Sequence, residues 1–271
     1  MMIPVINPKI QIEISKMSYF LATHFSNKGA TDILEICRDE NIKLIVDNYQ
    51  HYFDGMLTWD GKRFHIHLNS HRGNTLVTQR GRFSLAHELG HYFIEYHNRG
   101  IRTGTIPMHA SNLSLMHSDE IEREADRFAA SLLMPKHQLV SLTGGKKFSL
   151  ERIMEIATFF DVSLTAAILR FLEVGTHEIM AVFSKNGRID YSVRSSDFPK
   201  LVNKFKRGDM VPATSVAGES FLKANAKHTG IELIEVDDWF EDRGWAPNRQ
   251  LYEQCFYSNT YNSVVSILWF R

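Results

Sequence analysis

The segment His87-Glu88-Leu89-Gly90-His91 constrains the fold more than any other stretch of the chain. Inside a helical pattern, two histidines four residues apart share a face, because residues i and i+4 lie one above the other. Both imidazoles can then reach a single ion at about 2.0–2.1 Å. Glu88 is offset by one residue from that vector, yet its carboxylate can reach water at the ion and act as a general base toward it. Gly90 removes bulk beside the two rings and suits the close approach of another segment. A catalytic zinc site takes three protein ligands and keeps one position open, so a third ligand is expected from a second element.

Downstream, Ser118 is a candidate N-cap, and Asp119 and Glu120 suit a helix N-terminus. Ile121, Ala125, Phe128, Ala129, Leu132 and Leu133 follow as an apolar stripe of helical period, which Pro135 ends. Glu122 and Asp126 are four apart and share a face of that helix. Glu122 is the candidate third ligand. Asp126 is placed to accept a hydrogen bond from a ligating imidazole and so fix its tautomer. Glu124 points about 160° away from that axis and is the alternative ligand. The same acidic run also reads as a solvated helix start.

Composition narrows the class. Lys+Arg and Asp+Glu are both 31, and each half is neutral, 15 against 15 through residue 143 and 16 against 16 beyond it. Bulk attraction to nucleic acid or to an anionic membrane is therefore not the main activity. Of 13 histidines, 10 fall between His51 and His137, which concentrates metal-binding and titrating side chains around the motif. The two cysteines, Cys37 and Cys255, exclude a disulfide scaffold and an all-cysteine zinc site. No apolar run approaches the 18–20 residues of a membrane span, and the first residues lack a cationic region followed by an apolar stretch. A cytoplasmic protein is expected.

The remaining pattern predicts helices near 10–26, from Thr31 or Asp32 to Cys37, and from Gln79 or Ser84 to Tyr96, with a loop over 98–117. A strand at 43–46 precedes a hairpin of 55–59 and 63–68 around Asp60-Gly61. Residues 150–160 and 164–174 read as a helix pair with a tight turn. Beyond 178 the pattern turns to antiparallel strands at 178–183, 188–194, 231–236, 250–257 and 263–270, with a hairpin at Asn186-Gly187 and a helix at 218–228.

Two stretches, Arg82-Phe-Ser-Leu-Ala-His-Glu-Leu-Gly-His-Tyr92 and Glu122-Arg-Glu-Ala-Asp-Arg-Phe-Ala-Ala-Ser-Leu-Leu-Met-Pro135, together resemble the ImmA/IrrE zinc metallopeptidase family. The resemblance is strongest over residues 10–175. It implies that His87, His91 and Glu122 bind Zn²⁺ and that Glu88 activates water. It also implies a soluble endopeptidase whose partner is a transcriptional repressor, cleaved to release stress-response or mobile-element genes. The expected architecture is α+β: a zincin-like metallopeptidase domain at 1–145, a helix-turn-helix-like connector at 146–175, and a mainly antiparallel α+β domain at 176–271. IrrE-like members carry a GAF-like module in that last position. Many relatives begin with a DNA-binding helix-turn-helix. No such pattern precedes His87, and direct nucleic-acid binding is not expected. A metal-binding regulator without turnover and a toxin–antitoxin or phage-defence component are the competing readings.

Other residues carry weaker signals. His109, His117, Tyr92 and Arg80 are available to stabilise an oxyanion. His65, His67 and His71 read as structural or surface histidines, the first two on one sheet face. The strand at 63–70 is a candidate edge for binding an extended substrate, or it packs on the motif helix. In the helix pair, Arg170 is the one basic residue at a position suited to DNA, and packing is the expected role. Lys200, Lys204, Lys206 and Arg207 form a basic cluster read as a solvated face. Trp239, Phe240, Trp245, Phe256, Trp269 and Phe270 are expected to build the second core.

Overall fold

The computed structural model describes residues 6–27, 29–106, 111, 119–174, 177–220, 229–241, 250–258 and 262–270. The chain divides into two compact units. One comprises Pro4–Gly144 and Glu151–Arg170; the other takes in Gly145–Leu150 and Phe171–Arg271. Among the described residues no helix is long and apolar enough to cross a membrane.

The first unit opens with α1 (Pro8–His24), which starts where Asn7 caps Lys9 N–H at 3.0 Å and Pro8 occupies the first helical turn. A two-residue ribbon, β1 (Ser26–Asn27) with β2 (Ala30–Thr31), leads to α2 (Ile33–Asp39), capped by Asp32. Then come β3 (Lys43–Asp47), β4 (Gly55–Trp59) and β5 (Phe64–Asn69). Their sheet has the order β3-β5-β4, with β5 parallel to β3 and antiparallel to β4. The β4–β5 hairpin closes as expected, through Asp60 accepting from Lys62 N–H and Arg63 N–H and through Gly61 at φ 93°. The candidate substrate edge at 63–70 is overturned. β5 is the central strand, its backbone paired on both sides, so it has no edge to offer.

The motif helix is α3 (Gln79–Phe93), whose N-cap Thr78 accepts from Gly81 N–H at 3.1 Å. It stops at Phe93. Ile94 takes an extended conformation (φ −75°, ψ 111°), and α4 (Glu95–Thr103) starts in a new direction. Residues 98–103, expected as loop, are therefore helical. The acidic helix is α5 (Glu120–Leu133), capped by Asp119 and packed against α1 and α3. The expected cap, Ser118, lies outside the described residues. The helices α6 (Lys136–Thr143), α7 (Leu150–Phe160) and α8 (Leu164–Val174) complete the series. Arg170 is buried on α8 and donates from Nε to the Met134 carbonyl at 3.0 Å, which occupies it in packing. Burial, with Arg127 nearby, lowers its guanidinium to about 9.

The second unit is built on β6 (Ile179–Lys185) and β7 (Arg188–Arg194), joined by Asn186 and Gly187 at φ 51° and 74°, the left-handed pair that the Asn-Gly signal anticipates. The described part of the expected 218–228 helix is α9 (Val216–Ser220). β8 (Glu232–Ile234), the short α10 (Val236–Trp239), β9 (Leu251–Ser258) and β10 (Ser263–Phe270) follow. These strands form one antiparallel sheet in the order β7-β6-β10-β9-β8. Trp239, Phe240 and Phe270 enter its core with Met180, Val182 and Leu268. Trp269 is buried against Phe148, Phe256 is only partly buried, and Trp245 lies outside the described residues. Inside this core stands an unexpected carboxylate. Glu253, fully buried, accepts from Val216 N–H, Ala217 N–H and the Trp239 indole at 3.0–3.1 Å.

Candidate metal centre

Helices α3 and α5 cross at Gly90. A Cβ placed there would lie 3.0 Å from Ala125 Cα and 3.1 Å from its carbonyl oxygen, so glycine is what lets the two backbones approach this closely. The crossing brings Glu122 onto the two motif histidines. Nε2 of His87 and Nε2 of His91 are 3.1 Å apart, and the Glu122 carboxylate oxygens lie 3.4 Å from the first and 3.2 Å from the second. All three side chains are buried, and they form a donor set able to hold one metal ion. Tetrahedral ligands at about 2.0–2.1 Å from an ion stand roughly 3.3 Å from one another, which matches these separations. Two imidazoles and one carboxylate are also a donor set that zinc hydrolases use.

Asp126, one turn beyond Glu122 on α5, receives His87. Its Oδ1 lies 2.8 Å from His87 Nδ1. Burial disfavours a charge on this ring, but the hydrogen bonds to Asp126 and Glu122 outweigh it and hold His87 well above the ordinary imidazole value. The surrounding carboxylates therefore favour positive charge at this point. Glu88 is buried and faces the start of β4, where a Cβ on Gly55 would come within 2.7 Å of its Oε1.

Glu124 does not join the cluster. It turns toward α4 and accepts from Tyr96 O–H at 2.5 Å, with His97 Nε2 at 3.1 Å. Burial raises its carboxyl, and the Tyr96 hydrogen bond opposes that rise. His97 Nδ1 in turn lies 3.2 Å from His91 Nδ1. Sequence reasoning missed His97. Had α3 run on, the residue six places past His91 would stand about 9 Å along the axis from it. Only the break at Ile94 returns it. The available signal was β-branched Ile94 directly before Glu95, a weak mark of a helix restart.

The other candidates are placed as follows. Arg80 is committed to the buried Asp54, with Nη2 2.7 Å from Oδ1, and Tyr92 donates its hydroxyl to Glu40 at 2.7 Å. His109 and His117 lie outside the described residues. His65 meets Asp60 at 2.7 Å, and His67 sits between the Tyr49 hydroxyl and Thr58 at 2.7 and 3.3 Å, so both are structural. His71 packs edge-on against His51.

A mixed sheet backed by an HExxH helix, with a second helix closing a His-His-Glu cluster, defines a metallopeptidase-type domain. Residues 42–172 match the IrrE N-terminal-like domain of peptidase family M78. Over 176 residues the chain is 29% identical to metallopeptidase ImmA of Bacillus subtilis (strain 168), covering 61% of this chain and 92% of that protein. In fold it is similar to a Mycobacterium tuberculosis transcriptional regulator, with a TM-score of 0.60 at 11% identity over 98% of this chain and 77% of that one. The match places an IrrE N-terminal-like peptidase domain at residues 42–172, and the chain is similar to ImmA/IrrE proteins.

Proposed function

We propose that this chain is a cytoplasmic zinc endopeptidase that hydrolyses a peptide bond in a partner transcriptional repressor. The observation that carries this reading is the convergence of His87, His91 and Glu122 to within 3.1–3.4 Å of one another beside the buried Glu88. When bound, zinc would supply Lewis acidity to the attacking water and the scissile carbonyl.

The protein's own residues do the rest. Glu88 takes a proton from the attacking water and returns it to the leaving amine, acting first as base and then as acid. Its confinement against Gly55 keeps that carboxylate on one side of the site. Asp126 holds His87 in the tautomer that directs Nε2 inward. Beyond Gly55, whose own N–H and C=O are taken by Ser111, the outer edge of β4 suits an extended substrate segment pairing through its main chain. The second unit, with its five-stranded sheet, fills the position of the GAF-like module of IrrE-like members and acts as the sensing or docking half.

The test is Glu88→Gln, assayed against repressors encoded beside the gene. The variant keeps its zinc and loses cleavage. Unchanged regulatory activity in Glu88→Gln overturns the peptidase reading in favour of a regulator that acts by binding alone.

A further inference from the structure

Asp126 explains the orientation of only one of the two histidines. On the other, the Nδ1 side meets a second imidazole, His97 Nδ1 at 3.2 Å, and behind that ring stands the Glu124 carboxylate at 3.1 Å from His97 Nε2. His91, His97 and Glu124 are all buried. They come from three different helices, α3, α4 and α5.

We propose that His97 and Glu124 form a positioning relay that fixes the tautomer of His91 and so presents its Nε2 to the metal. His91 Nε2 is turned toward His87 and Glu122, so a His91 that serves as a ligand is bare there and carries its proton on Nδ1. Two ring nitrogens 3.2 Å apart need one proton between them, so His97 Nδ1 accepts and His97 carries its own proton on Nε2. That Nε2 faces the Glu124 carboxylate at 3.1 Å, which also accepts from Tyr96 O–H. The opposite tautomer of His97 would set two N–H groups against each other in a buried site. Glu124 thus stands two hydrogen bonds from the ring it orients. The centre is held from two sides, by Asp126 through one bond and by Glu124 through two.

The inference rests on the metal reading above and is tested apart from catalysis. In the zinc-loaded wild type, long-range nitrogen–proton correlation spectra of labelled histidines report tautomers directly. The relay requires protons on His91 Nδ1 and on His97 Nε2, and the opposite tautomer of His97 overturns it. Zinc affinity, measured by competition with a chromophoric chelator, supplies the second arm. His97→Phe keeps the ring volume without an acceptor and weakens binding roughly 10–100-fold. His97→Gln restores an acceptor carbonyl and recovers most of the loss. Equal affinity in wild type and His97→Phe overturns the relay. So does a His97→Gln chain as weak as His97→Phe, because the role is then one of packing alone. Should His97→Phe not fold, the tautomer spectra decide by themselves. A wild type that binds no zinc at all is a different failure, and it strikes the metal reading itself.

Discussion

Gly55 and Glu88 are packed so closely that a single added methyl group would stand 2.7 Å from the Glu88 Oε1 and 3.2 Å from its Cγ. Gly55 is the first residue of β4, and Ser111 pairs with it across an isolated bridge. The strand start is thereby tied down while the glutamate on α3 lies against it.

Gly55→Ala consequently acts on chemistry more than on folding. The carboxylate end must give way, and misplacing a catalytic group by about 1 Å costs on the order of 100-fold in rate. Turnover is expected to fall by about one to two powers of ten, with zinc content unchanged. Equal turnover in both proteins, measured on the same substrate, would show that Glu88 does not need this confinement.

Metal analysis separates the two glutamates of α5. Glu122→Ala removes an oxygen donor lying 3.2–3.4 Å from both histidine nitrogens and abolishes stoichiometric zinc. Glu124→Ala leaves the three donors in place and weakens zinc by roughly 10–100-fold without abolishing it. Loss of stoichiometric zinc in Glu124→Ala alone would reverse the assignment.

At the crossing of α3 and α5, Gly90→Ala sets two effects against each other. Alanine gains about 1 kcal/mol over glycine inside a helix. The new methyl meets backbone, Ala125 Cα at 3.0 Å, which cannot rotate away. Overpacking of that kind costs about 1–3 kcal/mol, so the net change is a loss of zero to two. Because Glu122 and Asp126 ride on α5, zinc affinity falls with it. Denaturant titration and zinc competition measured together check both halves, and a stabilised variant with full affinity contradicts the close crossing.

In the second unit, Glu253 makes stability depend on pH. Burial raises its carboxyl above the ordinary 4.5, against the hydrogen bonds from Trp239, Ser266 and Ala217 that favour the charged form. The sign follows from linkage. The folded state holds the proton more tightly than the unfolded chain, so the stability contributed is full below pH 4.5 and is lost as pH rises through the folded value. Glu253→Gln fixes the neutral form and flattens that part of the profile. Parallel denaturation curves from about pH 4 upward test this, and identical slopes in the two proteins refute it.

Much of the centre was legible in the chain because its parts are local. His87 with His91, and Glu122 with Asp126, are i, i+4 pairs, and helical spacing alone puts each pair on one face. The hairpins at Asp60-Gly61 and Asn186-Gly187 were legible for the same reason, since turn chemistry is written in adjacent residues. The order of the strands is not local, and the edge assigned to 63–70 failed there. β5 acquires its parallel partner β3 from some twenty residues upstream, a pairing that no pattern within β5 announces. Glu253 was missed likewise, because alternation along a strand marks a charged residue as outward, and the donors that compensate its burial come from α9 and Trp239.

The sequence by itself determined which side chains can act together, since a helix makes spacing into geometry without help from the rest of the fold. Which carboxylate meets the two motif histidines and which one turns toward α4 was decided by tertiary structure. Glu122 and Glu124 sit two residues apart on one helix and differ in what packs against them, α3 for the first and α4 for the second. The break at Ile94 sends α4, with His97 and Tyr96, back to the α5 face carrying Glu124. A side chain's role at a buried site follows from the donors and acceptors that surround it, and those are assembled by packing between elements distant in sequence.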